Sequence, residues 1–138
     1  MRPRERILLA LVGVQLVIFV LSLPGLGIET RSASQYAAWA APIFLGLTAL
    51  VFALGVAAIA VARRRMPVAA RLAVAQAGAA LVTNVLDISH VGGPPPPTGP
   101  LILAIVSIAV AVGEIVYAGQ VLKYRPAPAS TEPAAPSK

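Results

Sequence analysis

The stretch that decides the fold is residues 72–91, LAVAQAGAALVTNVLDISHV, which is apolar overall but carries a heavy load of polar side chains. Positions that follow one another at steps of four, three, four and three residues share one face of an α-helix. Here those positions hold Gln76, Ala80, Thr83, Asp87 and His90. The opposite face holds Val74, Leu81, Val85 and Ile88. The stretch therefore predicts a membrane-spanning helix whose polar face packs on neighbouring helices.

The composition of the whole chain indicates a membrane protein. Of its 138 residues, 58% are hydrophobic and only 12% are charged, and the mean hydropathy is +0.84. A soluble domain carries roughly a quarter charged residues. The chain has no cysteine, which excludes disulfides, thiolate metal sites and iron–sulfur clusters. Abundant alanine, valine, arginine and proline with little lysine suggest a GC-rich bacterial genome, and hence the cell inner membrane.

Three further apolar segments complete the predicted fold. The first, about residues 7–23, has 17 residues and reaches about 25 Å as a helix, the lower limit for crossing a bilayer. The others are about 37–62 and about 101–122. Together the four segments predict an all-α fold, an integral membrane four-helix bundle running up, down, up and down within residues 1–125. Residues 126–138, rich in proline and alanine, predict a disordered cytoplasmic tail.

The distribution of basic residues predicts the orientation of the segments. All but one of the arginines and lysines that flank the segments lie on the side that holds both termini: Arg2, Arg4, Arg6, Arg63, Arg64, Arg65, Arg71, Lys123 and Arg125. The exception is Arg31, near Glu29. By the positive-inside rule both termini are cytoplasmic, and residues 24–36 and 92–100 face outward. The run Arg63–Arg65 then anchors this topology, with binding of anionic lipid headgroups as the alternative.

The N-terminal segment has one competing interpretation. Basic residues, an apolar run and the small residues Ser32 and Ser34 also fit a cleaved signal peptide. The candidate cleavage site, however, lies 11 residues beyond Leu23, with Glu29 and Arg31 between them. This distance favours an uncleaved first span.

Glu114 is the most informative single residue. It lies about eight residues from the cytoplasmic end of the fourth segment, near the middle of the membrane, with no basic side chain in that segment. An ionised carboxylate there is unfavourable by roughly 2.5–3.5 kcal/mol on insertion scales. We therefore expect Glu114 to be protonated, hydrogen-bonded, or facing water or a partner. A proton or cation relay and a neutral interhelical hydrogen bond are the two interpretations.

The third segment supplies further polar groups. If the third and fourth segments form an antiparallel hairpin, Glu114 lies beside Ala80 and Thr83, and Ser107 lies beside Asp87. The face of the fourth segment that carries Glu114 also holds Ser107, Ala111 and Ala118. The two polar faces then meet in a row from Gln76 outward to His90. We favour interhelical hydrogen bonding, worth roughly 0.6–2 kcal/mol per contact, over a proton path along this row.

Asp87 and His90 form a candidate pair at the outer rim. They lie one helical turn apart, so Asp87 can orient the His90 ring or stabilise its charge; the alternative is a solvated helix end. The next residues, Pro94–Pro97, predict about 12 Å of polyproline II, which we interpret as a rigid connector rather than a lid. Rows of small residues suggest close helix contacts within the chain or between subunits: Ala49, Ala53 and Ala57, and Ala109 and Gly113.

Two classes of function remain after this survey. One histidine and no cysteine fall short of a structural metal site, and no serine has a partnering base, so we expect no enzyme, metal or cofactor. The first hypothesis is an accessory or structural subunit that packs against a larger membrane complex. The alternative is a small oligomeric proton-coupled transporter that uses Glu114. The expected partners are the lipid bilayer and either another membrane protein or further copies of the chain, with no nucleic acid.

Overall fold

The computed structural model describes residues 1–26 and 28–124, which form four long α-helices. Helix α1 is Pro3–Leu21, α2 is Ala40–Ala62, α3 is Met66–Ile88 and α4 is Thr98–Lys123. A short 3-10 helix, Ala33–Gln35, lies between α1 and α2, and no strand forms in these two ranges. The predicted all-helical fold with four helices is confirmed. The predicted tail, residues 126–138, lies outside the described residues.

Helices α1, α3 and α4 begin earlier than the hydrophobic pattern indicated, whereas α2 begins at Ala40, three residues after its predicted start. α3 begins at Met66, six residues before the predicted start, and α4 begins at Thr98, three residues before. In each case a proline, Pro67 or Pro100, lies in the first turn. The backbone N–H groups of the first helical turn have no intrahelical acceptor. Proline, which lacks an N–H, can therefore lie there without the loss of a hydrogen bond.

A left-handed turn ends α3. The backbone N–H of Val91 donates to the Leu86 carbonyl (3.2 Å) and that of His90 to the Asp87 carbonyl (3.1 Å), which is the hydrogen-bond pair of a Schellman motif. His90 has φ 58°, a conformation that glycine usually occupies at this position. α3 therefore stops at Ile88, three residues before the predicted end of the segment.

α3 is the central helix. Half of the residues in its most apolar 18-residue stretch are buried, compared with 17% in that of α2 and 28% in that of α4. It packs against both of these helices, and α1 packs mainly against α4 and α2. Most of its buried positions are alanine: Ala69, Ala70, Ala73, Ala77, Ala79 and Ala80. These small side chains allow two neighbouring helices to approach the α3 backbone closely.

Between its two ends, the bundle buries several polar side chains and exposes large apolar ones. The largest fully buried side chains include Gln15, Gln76, Ser107 and Glu114. The perimeter instead exposes large apolar side chains, among them Leu45 (68%), Val17 (58%) and Ile102 (56%). A water-soluble protein has the opposite preference. This distribution is the one expected when the surrounding solvent is apolar.

Three of the four helices are long and apolar enough to cross a membrane: α2, α3 and α4. Charge in the first turn sets α1 apart, because Arg4, Glu5 and Arg6 belong to the helix. The remaining apolar part, residues 7–21, is about 22 Å long at 1.5 Å per residue, against a hydrocarbon core of about 30 Å. The predicted first span is thus a helix, but it is shorter than the other three.

Each end of the bundle is held by contacts between separate segments. At one end the Arg2 side chain donates to the Tyr124 carbonyl (3.0 Å), and Arg4 stacks 4.3 Å from the Tyr124 ring centroid. Met66, at the start of α3, lines a cavity together with these three residues. At the other end the Ala37 N–H donates to the Gly92 carbonyl (2.6 Å). Consecutive helices therefore run antiparallel. The arginines of the α2–α3 turn, Arg63, Arg64 and Arg65, are exposed at the first of these ends.

The row of α2 that packs inward differs from the predicted alanine row. Ala49 and Ala53 are exposed, and the buried positions are Ala40, Val51, Gly55, Ala58 and Ala62. Gly55 lies at the closest of these contacts, because the Gln76 side chain and the Leu16 methyl group occupy the space beside its Cα. A Cβ at residue 55 would lie 2.5 Å from Gln76 Nε2 and 2.8 Å from Leu16 Cδ2.

This close approach yields a stability prediction. We expect Gly55→Val to lower the free energy of unfolding by about 1–3 kcal/mol, because overpacking forces side chains out of their rotamers. Gly46→Val is the matched control on the same helix, since nothing lies within 4 Å of its Cβ position. Denaturant unfolding in mixed micelles, followed by circular dichroism, measures both. Equal stabilities of the two variants would contradict the packing at Gly55.

Candidate functional site

A buried hydrogen-bond network joins three helices. Gln15 Nε2 of α1 donates to Ser107 Oγ of α4 (2.5 Å), and Asn84 Nδ2 of α3 donates to the same oxygen (2.7 Å). Asn84 Nδ2 also donates to the Ala80 carbonyl (2.7 Å). All three side chains are buried. Ser107 is therefore the point at which α1, α3 and α4 are linked by polar contacts.

The network corrects the predicted register between α3 and α4. Ser107 contacts Asn84 rather than Asp87, three positions earlier on α3. α4 begins three residues before the predicted start, which accounts for an offset of this size. The Thr83 hydroxyl, expected beside Glu114, donates within its own helix to the Ala79 carbonyl (2.8 Å). In the corrected register, Glu114 of α4 lies at the same height along the bundle as Ala77 of α3.

Glu114 and Gln76 lie at neighbouring levels in the centre of the bundle. Both side chains are fully buried, and the shared face of Ser107, Ala111, Glu114 and Ala118 predicted for α4 is confirmed by the burial of all four. Within residues 1–26 and 28–124, the Glu114 carboxylate oxygens and the Gln76 amide have no hydrogen-bond partner. A carboxyl group so enclosed favours its neutral form. It can then hold a proton and exchange it only when a donor or acceptor reaches it.

A second set of charged groups closes the opposite end of the bundle from Arg63–Arg65. We call Glu29, Arg31 and Asp87 the outer clamp. Arg31 makes a two-point contact with Glu29 (Nε–Oε1 2.9 Å, Nη2–Oε2 2.8 Å) and another with Asp87 (Nη1–Oδ1 2.7 Å, Nη2–Oδ2 3.1 Å). Its Nη1 also donates to the Pro94 carbonyl (3.2 Å). One side chain thus ties the α1–α2 connection to the end of α3 and to the proline run.

The ion pair between Glu29 and Arg31 keeps these two residues charged despite their burial. The exposed fractions of the side chains are 6% for Arg31, 10% for Glu29 and 17% for Asp87. Burial alone would raise the pKa of Glu29, but the hydrogen bonds and positive charge of Arg31 outweigh it and lower that pKa. Burial opposes the charge of Arg31 as well, and hydrogen bonds from Glu29 and Asp87 outweigh it and raise the Arg31 pKa. Removing Arg31 would leave both carboxylates largely buried and unpaired.

Asp87 has a different partner from the one that the sequence suggested. In the described ranges its carboxylate pairs with Arg31, 56 residues away in the chain, whereas His90 is exposed in the left-handed turn. Arg31 was not identified as a site residue from the sequence. The feature that could have indicated it is that Arg31 is the only arginine or lysine in the connections 24–36 and 92–100. Gln15, which is the only polar residue within 7–21, was missed as well.

The connection after α3 packs on the connection before α2. The Gly93 Cα lies against the Tyr36 ring, and Gly92, with φ 78°, lies against Trp39 and Ala40. A side chain at either glycine would collide with these residues. The proline run predicted to be a rigid connector also supplies the Pro94 carbonyl to the outer clamp.

A cavity of about 460 Å³ lies beneath the outer clamp. We call it the outer cavity. The three clamp residues form part of its wall, and the remainder includes the rings of Phe19, Tyr36 and Phe44 and the polar side chains of Thr48, Thr83 and Asn84. Leu45, Pro24 and Pro42 also line it and are exposed. The cavity therefore opens between the end of α1 and the beginning of α2.

No family model, curated protein or solved structure matches this chain. The function must therefore be argued from the buried carboxyl group, the outer clamp and the outer cavity.

The clamp yields a second stability prediction. We expect Arg31→Ala to lower the free energy of unfolding by about 3–5 kcal/mol, because two buried carboxylates lose their counter-charge. Arg64→Ala, which removes an exposed arginine, should change it by less than about 0.5 kcal/mol. Denaturant unfolding in the same micelles distinguishes them. If Arg31→Ala is as stable as Arg64→Ala, the clamp does not hold the outer end.

Proposed function

We propose that this protein is a four-span integral membrane protein of the bacterial inner membrane, with both termini on the cytoplasmic side. The observation that carries the proposal is the inverted distribution of polarity, with Gln15, Gln76 and Glu114 inside and valine, leucine and isoleucine outside. α1 is short, but its valines Val14, Val17 and Val20 are exposed like those of the other helices. The arginines of its first turn can extend to the headgroups.

Within the membrane, we propose the role of an accessory subunit that packs against a larger complex. Two observations favour a structural role. The outer end is fixed by the five hydrogen bonds that the Arg31 side chain donates, and Ser107 ties three helices together at mid-bundle. A protein whose helices are cross-linked by polar contacts at these levels is suited to support a neighbour through its apolar perimeter.

One observation favours a second candidate, a small oligomeric proton-coupled transporter. Glu114 is a fully buried carboxyl group without a hydrogen-bond partner in the described ranges. Intramembrane acids of this kind mark proton or ion pathways. Asn84, which contacts Ser107 on the same face of α4 as Glu114, also lines the outer cavity. Asn84 and Ser107 therefore lie between the level of Glu114 and that cavity.

Reporter fusions test the topology. We expect a fluorescent protein to be active when it is fused before Met1 or after Lys138, and alkaline phosphatase to be active when inserted at Pro96, because phosphatase folds only outside the cytoplasm. Phosphatase inserted at Arg64 should be inactive. Phosphatase activity at Arg64, or fluorescence of an insertion at Pro96, would refute the proposed topology.

Purification at native expression level in mild detergent distinguishes the two roles. An accessory subunit should co-purify with larger proteins, and Glu114→Gln should leave that assembly intact. A transporter should purify as a homo-oligomer, and proton-coupled flux in vesicles should be lost in Glu114→Gln but kept in Glu5→Gln, the same substitution at the basic end. If the chain has no partner and its vesicles show no flux, both roles are excluded.

A further inference from the structure

Most of the side-chain hydrogen-bond donors that line the outer cavity are already in use; within the described residues only the hydroxyl groups of Tyr36 and Thr48 make no hydrogen bond. All five N–H groups of the Arg31 guanidinium donate to Glu29, Asp87 or Pro94. Thr83 donates its hydroxyl to Ala79, and Ser22 donates to Ile18. Apart from those two hydroxyl groups, the polar side chains of the wall offer the acceptor lone pairs of hydroxyl and carboxylate oxygens.

Asn84 extends this pattern. Its Nδ2 is used twice, by the Ala80 carbonyl and by Ser107, so its carbonyl oxygen is the group left to interact with a molecule in the cavity. The acceptors of Thr83 and Asn84 lie on α3 with Asp87. Because acceptors outnumber free donors in this wall, a ligand that brings donors of its own matches it better than a ligand that brings only acceptors.

The net charge of the wall favours a cationic ligand. Among the described lining residues the charged ones are Glu29, Asp87 and Arg31, which leaves one net negative charge. The single positive group is already bound by two carboxylates at 2.7–2.9 Å, so an anion would find no free donor there. A cation gains from the excess carboxylate charge in a region of low dielectric constant.

The remaining wall suits an apolar body. Phe19, Tyr36 and Phe44 contribute aromatic rings, and the last two pack edge to face with centroids 5.7 Å apart. Aromatic faces also attract organic cations. The volume of about 460 Å³ lies within the roughly 300–1,000 Å³ of small-molecule sites. We propose that the outer cavity binds an amphipathic organic ammonium ion, with its apolar body among the aromatic rings and its N–H donors toward Glu29 and Asp87.

Three fluorescent compounds that share one tricyclic body test the proposal: 9-(aminomethyl)anthracene, 9-anthracenemethanol and 9-anthracenecarboxylate. Binding is measured by equilibrium dialysis against the protein in nanodiscs, with empty nanodiscs subtracted. We expect the ammonium compound to bind at least about tenfold more tightly than the alcohol, a factor that corresponds to about 1.4 kcal/mol, and the carboxylate to bind most weakly. Equal binding of the ammonium and the carboxylate, or no binding above empty nanodiscs, overturns the proposal.

Variants locate the site and its charge. Glu29→Gln keeps an acceptor for Arg31 but removes the net negative charge, so the affinity for the ammonium should fall about tenfold while that for the alcohol stays unchanged. Glu5→Gln is the matched control at the opposite end. Ala41→Phe, which fills the cavity, should weaken both compounds, whereas Ala60→Phe on the exposed side of α2 should weaken neither. Circular dichroism verifies that each variant is folded.

The binding of the ammonium compound does not depend on whether the protein acts as a subunit or as a transporter, because a protein of either kind can hold such a ligand. If Glu29→Gln leaves the ammonium affinity unchanged in a folded protein, the charge argument is wrong. If Ala41→Phe also leaves it unchanged, the ligand binds elsewhere and the assignment of the cavity is wrong.

Discussion

The fold depends on the burial of the polar face of α3. Gln76, Thr83 and Asn84 lie in the middle of a helix that is otherwise apolar enough to cross a membrane, and a polar group exposed to lipid is strongly unfavourable. The alanines around them let α2 and α4 approach closely enough to enclose these groups. Asn84 thereby reaches Ser107, and Gln76 packs on Gly55. The central position of α3 follows from this requirement, since only a helix flanked by others can hide such a face.

Two buried sets of ionisable groups have opposite character. In the outer clamp each carboxylate meets the guanidinium of Arg31 at two points, so the charges stabilise one another and fix the connections that carry them. Glu114 has no such counter-charge on the α4 face that it shares with Ser107 and two alanines. A paired charge is held in place and contributes to structure. An enclosed carboxyl group without a basic partner is the one whose protonation is able to change during function.

The sequence was sufficient for the four helices and for the inward faces of α3 and α4, because these depend on local periodicity; the inward face of α2 did not follow, since its segment is apolar almost throughout. The inward face of α4 and the polar face of α3 both follow from steps of three and four residues. The α3–α4 register did not follow, since it depends on where α4 begins, and Pro100 is accepted in the first turn where the hydrophobic pattern placed it before the helix. The pairing of Arg31 with Asp87 did not follow either. It spans 56 residues and requires the α1–α2 connection to fold back over the end of α3, which no local pattern encodes.

The clamp couples the stability of the outer end to the chemistry of the cavity beneath it. By using every donor of Arg31, it leaves a wall in which acceptors outnumber free donors and the net charge is negative, so the contacts that hold the connections together also set the charge of the cavity. The cavity and Glu114 are separated by the Ser107 level, seven residues or about 10 Å along α4. The hydrogen bonds that Asn84 and Gln15 donate to Ser107 join α1, α3 and α4 at the level between the cavity and Glu114. A structural subunit needs these bonds to persist, whereas a transporter needs them to break and reform in each cycle.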